Sequence, residues 1–261
     1  MSAHDEPLLE CLLRLGDTDL VLAQRLGAWI GHGPVLEEDI ALANVGLDLL
    51  GQARLWLGYA GEVEARLTGR GRSEDELAFL RDAPAFRNVQ LVEQPNGDYA
   101  ATMARQLYFD HAHHLLLQGL ARSSDERVAA IASKGVKEAQ YHVERSSDWV
   151  VRLGDGTDES HARMQRAIDD LWPYTGELFA ADAVDAALAQ AGVAPDPATL
   201  REPWLAAVRA VIAEATLTMP GGEWMQGMRR GGGKQGVHTE HLGHLLSEMQ
   251  FLQRAYPGAR W

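Results

Sequence analysis

The side chains of this sequence that could do chemistry are carboxylates and histidines spaced for one face of a helix. Residues three or four apart share a helix face, so their side chains can reach a common ligand. The pairs of interest are Asp110 with His113, Glu138 with His142, and Glu240 with His244. Because carboxylate and imidazole groups together bind divalent metal ions, these pairs first suggest a metal centre.

A carboxylate-bridged pair of metal ions needs more than isolated pairs. In a helical bundle it takes a Glu from each of two helices and a Glu-x-x-His from each of two others. No Glu of this sequence is followed by His three residues later, so the complete set is missing. Ion pairs, exposed polar faces and buried hydrogen-bonded histidines are simpler interpretations. One alternative stays open, a non-standard di-metal centre built from Asp48, Glu138, His142, Glu240 and His244.

A small basic patch lies in a Gly-rich stretch, residues 219–236, which is predicted to be a loop. It consists of Arg229, Arg230 and Lys234. Such a patch could bind an anionic small molecule such as an acyl-CoA, or an acidic neighbouring protein. A solvated loop is the simpler alternative.

The composition excludes several classes of function. A formal net charge of −13, from 24 Lys and Arg against 37 Asp and Glu, is the wrong sign for nucleic acid or an anionic membrane surface. A single cysteine, Cys11, cannot form an internal disulfide. No signal peptide or apolar run of membrane-spanning length is apparent. These features predict a cytoplasmic protein without a membrane segment.

The elements that would position these side chains are helices, because apolar residues recur at spacings of three and four almost throughout. The clearest is predicted over residues 35–66, with two apolar stripes. The first stripe is Leu36, Ile40, Ala43, Leu47, Leu50 and Leu57, and the second is Leu42, Leu49 and Trp56. Two apolar faces predict a central helix, with one face available to a neighbouring subunit.

Turn and capping residues predict the other helix boundaries. The predicted helix starts are an N-cap at Asp98 and capping boxes at Ser123 with Glu126 and at Thr199 with Glu202. The predicted helix ends are a stop at Gly154 to Gly156 and a break near Trp172, before Pro173. A last helix is predicted over 239–255, and its inward residues are Leu242, Leu245, Leu246, Met249 and Leu252. With no linker or repeat, the prediction is an all-α, long-helix bundle in one domain, 1–261.

Long and unusual motifs connect the sequence to a known family. They are residues 13–17, LRLGD; 41–54, ALANVGLDLLGQAR; 91–97, LVEQPNG; 137–142, KEAQYH; 238–243, HTEHLG; and 256–261, YPGARW. They resemble the family of non-catalytic C subunits of bacterial phenylacetyl-CoA epoxidases, which act in aerobic phenylacetate catabolism.

The resemblance implies a ferritin-like fold and a place in a monooxygenase complex that uses O₂ to epoxidise the ring of phenylacetyl-CoA. It implies that the homologous catalytic A subunit holds the di-iron centre and the thioester substrate. Electrons come from NADPH through a reductase with flavin and iron–sulfur groups. This chain would carry no cofactor and no catalytic residue, and it would stabilise the catalytic partner. Pairing with a second copy when that partner is absent is left open.

The resemblance also locates the degenerate positions of the metal site. Asp48-x-x-Gly51 stands where the catalytic partner has its first Glu-x-x-His, and Ala139-x-x-His142 stands at the second. Gly51 lacks an imidazole and Ala139 lacks a carboxylate, so each motif has lost a ligand. Two alternatives remain: the non-standard di-metal oxygenase above, and an acyl-CoA-binding helical module that uses Arg229, Arg230 and Lys234.

Overall fold

All regular structure in the computed structural model is helical within the described residues, 4–221 and 232–259. The α-helices are α1 (Asp5–Gly27), α2 (Leu36–Thr68), α3 (Glu74–Phe79), α4 (Tyr99–Leu120), α5 (Glu126–Gly154), α6 (Asp158–Leu171), α7 (Ala183–Gln190), α8 (Pro197–Glu214), α9 (Glu240–Met249) and α10 (Phe251–Ala255). Short 3₁₀ helices occupy Ala83–Ala85, Gln90–Glu93, Trp172–Phe179 and Gly233–Gln235. The prediction of an all-α chain is confirmed. In these ranges, no helix is both long and apolar enough to cross a membrane.

The described residues form two compact units. Unit 1 comprises residues 4–95 and 232–259, and unit 2 comprises residues 96–221. Unit 1 therefore contains α1 to α3 with α9 and α10, and unit 2 contains α4 to α8. One domain over 1–261 remains a prediction.

Unit 1 is built on the pairing of α1 with α2. Gly16 allows the two helices to approach closely, because a Cβ atom at that position would lie 2.7 Å from the Leu57 side chain. The second predicted stripe of α2, which contains Leu42, Leu49 and Trp56, is fully buried. The first stripe is largely exposed at Leu36, Ile40 and Leu47, so the prediction of a central helix is wrong within the chain.

Two buried carboxylates anchor the loops of unit 1. Asp17 forms an ion pair with Arg81 and accepts a hydrogen bond from the Arg87 amide at 2.8 Å. Glu93 accepts hydrogen bonds from the Thr239 amide at 2.8 Å and from its hydroxyl at 2.7 Å. His238 contacts the same carboxylate at 2.5 Å. The start of α9 is therefore fixed to the segment that precedes α4.

The last predicted helix is interrupted. Helix α9 begins after Thr239, as predicted, but Gln250 separates it from α10. The buried Gln250 amide donates to the carbonyl oxygens of Ala78 at 2.9 Å and Arg81 at 3.0 Å. Leu252, which was predicted to face inward, is exposed because α10 continues along a different face.

Unit 2 shows which capping residues were correctly identified. Asp98 caps α4 as predicted and accepts a hydrogen bond from the Ala101 amide at 3.0 Å. The cap of α5 is Asp125 rather than Ser123, because the aspartate accepts from the amides of Arg127 and Val128 at 2.9 and 3.0 Å. The Ser123 hydroxyl accepts instead from the Asp125 amide, in the preceding turn.

The start of α8 also differs from its prediction, because an aspartate caps the helix instead of the predicted Thr199. Asp196 caps the helix, with Pro197 at its first position, and accepts from the Ala198 amide at 3.0 Å. Thr199 lies inside the helix, where its hydroxyl donates to the Asp196 carbonyl at 2.6 Å. The predicted stops at Gly154 and before Pro173 are both found, since α5 ends at Gly154 and α6 ends at Leu171.

Aromatic side chains fill the core of unit 2. The Trp204 ring of α8 stacks on Trp172 with centroids 5.8 Å apart and contacts Phe179 at 4.9 Å. Its indole N–H donates to the Tyr108 carbonyl at 3.0 Å, and the Tyr108 hydroxyl donates to the Ile168 carbonyl at 3.0 Å. These bonds satisfy the polar atoms of large buried rings and hold α4 in place.

Candidate functional site

A group of buried polar side chains lies inside unit 2, where α4 packs along α5. Residues three or four apart on each helix place these side chains on facing surfaces. We call this group the buried polar cluster, and its members are Arg105, Gln106, Asp110 and His113 of α4 with His142, Arg145 and Ser146 of α5. It contains three of the predicted site residues, Asp110, His113 and His142. Asp110 and His113 had been paired with each other, whereas His142 had been paired with Glu138.

Asp110 is the acidic member of the buried polar cluster. Burial raises its pKa from 3.8 to about 6, against the opposing effects of His142, a hydrogen bond from Ser146, and the guanidinium groups of both cluster arginines. The Gln106 amide also donates to Asp110 Oδ1 at 3.2 Å. Burial thus outweighs every favourable partner of this carboxylate.

The histidines of α4 are held neutral at physiological pH. Burial lowers the pKa of His113 to about 3, with further lowering by His142 and His114. Burial lowers the pKa of His111 to about 4. The His113 ring stacks on Phe109 at 4.9 Å between centroids, and a His111 ring nitrogen lies 3.1 Å from the Ser147 hydroxyl. These contacts are those of packed side chains in a helix interface.

Two arginines bring positive charge into the buried polar cluster. The Arg105 guanidinium donates to the Asn96 side-chain oxygen at 2.8 Å, and the Arg145 guanidinium donates to the Tyr99 hydroxyl at 3.0 Å. Both side chains are buried. Sequence reasoning missed them, because a buried arginine at helical spacing resembles any surface arginine in the sequence.

The predicted degenerate motifs lie on two different helices and in two different units. On α5, Ala139 and His142 are both buried, and Ala139 offers only a methyl group to the interior. On α2, Asp48 and Gly51 are half-buried, and a Cβ atom added at Gly51 would have no neighbour within 4 Å.

The other predicted residues that the structure describes do not form a metal centre. Glu138 is half-buried, whereas Glu240 and His244 are exposed on α9. No group of three or more His, Cys, Asp or Glu side chains in the described ranges could hold a metal ion. Lys234 is buried, and Arg229 and Arg230 lie outside the described residues.

The residues of the buried polar cluster do not fit a di-iron centre. The single carboxylate of the cluster already lies beside two guanidinium groups. A bridged iron pair requires several carboxylates to neutralise its charge, and the cluster has one. The arrangement is suited to holding α4 against α5.

Comparison with known proteins shows close relatives. The family model described as phenylacetic acid catabolic protein matches residues 1–261. The chain is 55% identical over 249 residues to the C subunit of 1,2-phenylacetyl-CoA epoxidase from Escherichia coli (strain K12), covering 95% of this chain and 97% of that protein.

These matches confirm the resemblance that the sequence motifs indicated and the ferritin-like helical class that it implied. The family match spans residues 1–261, which include the two predicted degenerate motifs and the buried polar cluster. This chain belongs to the phenylacetic acid catabolic protein family.

Proposed function

We propose that this chain is the non-catalytic structural subunit of a phenylacetyl-CoA epoxidase and that it stabilises the di-iron subunit. The relation to the C subunit of the Escherichia coli enzyme supports the place in the complex. The single observation that carries the non-catalytic role is the composition of the buried polar cluster, which has one carboxylate, Asp110, beside the two arginines Arg105 and Arg145.

The electrostatic argument against a metal centre rests on charge balance. Iron bound in the interior of a helical bundle is stabilised by anionic ligands that balance its charge. The buried polar cluster offers Asp110 alone as an anion; burial raises the pKa of that carboxyl, and Arg105 and Arg145 are among the groups that oppose the rise. A divalent ion placed in the cluster would be repelled by these two guanidiniums, and burial makes that repulsion stronger than it would be in water.

The chemistry of the complex then belongs to its other components. The catalytic A subunit would bind the iron pair and phenylacetyl-CoA, and a reductase with flavin and iron–sulfur groups would deliver electrons from NADPH. This chain would hold no cofactor, and its contribution would be the surface that supports its partner. A cytoplasmic location agrees with that role.

Metal analysis of the purified chain tests the non-catalytic role. After anaerobic loading with ferrous iron and desalting, we expect far less than one iron per chain, because both Glu-x-x-His positions lack a ligand. The catalytic subunit, loaded in parallel, serves as the positive control. Two irons per chain, with the absorption of an oxo-bridged pair, would show that this chain carries a centre of its own.

A further inference from the structure

Exposed apolar side chains are concentrated at the start of α2 and just before it. Among the described residues, five large exposed apolar side chains lie in the stretch from residue 30 to residue 47. They are Ile30, Val35, Leu36, Ile40 and Leu47. Soluble proteins rarely expose so many large apolar groups in one place unless the surface binds something.

The spacing of these residues gives the surface its shape. Leu36, Ile40 and Leu47 are 70%, 51% and 63% exposed, and Ala43 and Leu50 complete a spacing of four, three, four and three. That spacing is typical of a helix that packs alongside another helix. From Leu36 to Leu47 the stripe runs for about 16 Å, or three helical turns. We call residues 36, 40, 43, 47 and 50 the α2 stripe.

The α2 stripe is presented by a fixed element. The opposite face of α2, with Leu42, Leu49 and Trp56, is fully buried in unit 1, so the helix cannot rotate to hide the stripe. The turn before the helix is also held, because the Asp39 carboxylate accepts hydrogen bonds from the amides of Gly31 at 2.9 Å and Gly33 at 3.0 Å. A preformed surface costs less ordering entropy on binding than a flexible one.

The charges around the α2 stripe indicate which kind of partner fits. From residue 28 to residue 53 the sequence contains Glu37, Glu38, Asp39 and Asp48 but no Lys or Arg. Two copies of this chain joined through their α2 stripes would bring these carboxylates together, and each copy already has a net charge of −13. Like charges across an interface oppose association. The surface is therefore complementary to a non-identical chain with basic side chains beside its apolar residues.

We infer that the α2 stripe is the docking surface for the catalytic subunit of the epoxidase, which would offer an apolar helix face bordered by Lys or Arg. The inference rests on the proposed function, since that function supplies the partner. It adds the place of contact, the role of the acidic border, and the reason that the apolar residues remain exposed in the isolated chain.

The test measures binding of the catalytic subunit from the same organism to variants of the stripe. The double variant Ile40→Glu with Leu47→Glu places two charges at exposed positions, where the fold should tolerate them. Burial of these charges against an apolar partner should weaken the dissociation constant by at least about tenfold. The matched control is Phe251→Glu on α10, whose side chain is 62% exposed. The control should bind within about twofold of the original chain.

A second set of measurements tests the acidic border and checks that a loss of binding is not caused by misfolding of a variant. Glu37→Lys should slow association and flatten its dependence on salt concentration, because it removes an attraction that salt screens. Circular dichroism and melting of each variant alone verify folding. If the double variant is unfolded, Leu36→Glu replaces it, since that position is 70% exposed.

The outcomes separate the two proposals. If the original chain does not bind the catalytic subunit at micromolar concentration, the proposed function is wrong. If it binds and the folded stripe variants bind equally well, the proposed function stands and the docking surface is wrong. If the stripe variants lose only self-association, the occupant is a second copy of this chain, which also overturns the inference.

Discussion

At the scale of single residues, Asp110 is a buried carboxyl whose pKa is strongly raised. Its carboxyl is buried between α4 and α5, and burial raises its pKa to about 6. The folded state therefore binds a proton more tightly than the unfolded state, in which the pKa is near 3.8. Below pH 4 both states are protonated, and above pH 6 the folded state carries a buried charge. The contribution of Asp110 to stability consequently falls as pH rises through this window.

Replacement of Asp110 by Asn should remove that dependence. A pKa shift of this size corresponds to about 3 kcal/mol, so the variant should gain about that much unfolding free energy relative to the original chain as pH rises from 4 to 7. Urea unfolding across this range measures the difference, with the exposed Asp148→Asn on the same pair of helices as control. The pKa of His113 is lowered by burial, so its contribution to stability rises with pH instead. The effect of Asp110 is therefore the difference in unfolding free energy between Asp110→Asn and the original chain at each pH. A difference that does not change with pH would contradict the prediction.

The candidate site could be predicted from the sequence only in part. The absence of Glu-x-x-His and the alanine at position 139 are visible in the sequence, and they carry the conclusion about metal binding. The partners of Asp110 are not visible there, because the electrostatic interaction with His142 joins two helices and depends on how they pack. The sequence paired Asp110 with His113 and Glu138 with His142 by helical spacing, which describes one helix at a time.

At the scale of the elements, the starts of the helices depend on which side chain reaches the free amides. Helix boundaries set by Gly, Pro and apolar periodicity were predicted within a few residues, as α2, α4 and α6 show. Two capping boxes were misplaced, because Asp125 and Asp196 lie closer to the free amides than the predicted Ser123 and Thr199. A capping-box spacing of three residues is compatible with several possible first residues of a helix, and the local backbone conformation determines which one is used.

The cap of α5 provides a direct test of that correction. Asp125→Ala should lower the unfolding free energy by about 1 kcal/mol, because it removes the acceptor of two backbone amides at the start of a long helix. Ser123→Ala should cost less, since the hydroxyl bonds only to an amide in the preceding turn. Thermal or urea unfolding of both variants would compare them. A larger loss for Ser123→Ala would restore the original assignment of the cap.

Helix α2 shows what periodicity cannot decide. Two apolar stripes are evident in the sequence, but a helical pattern does not state which stripe the chain itself covers. In the structure, α2 buries the Leu42 to Trp56 face and also Leu57, the last residue of the first predicted stripe, which lies against Gly16 of α1. The α2 stripe is left exposed as a consequence of where α1 lies.

At the scale of the whole molecule, the proposed role in the complex rests on what the described residues lack and on what they expose. Its buried polar cluster has one carboxylate, whereas a bridged iron pair needs several. The α2 stripe is a fixed apolar surface with an acidic border that the described residues leave exposed. A subunit that loses its chemistry but retains a binding surface can still be required for activity, because binding stabilises the partner by mass action.

The catalytic subunit should therefore depend on this chain for stability as well as for activity. With this chain present at about one hundred times the dissociation constant, the catalytic subunit should gain about 2.7 kcal/mol of unfolding free energy, provided that binding occurs only in the folded state. Its melting temperature should rise with the concentration of this chain, and epoxidation of phenylacetyl-CoA should fall to background when this chain is removed. Light scattering of the eluted complex and parallel activity assays check both. Full activity of the catalytic subunit alone would show that the chain is dispensable, whereas stabilisation without an effect on activity would limit its role to protecting the partner.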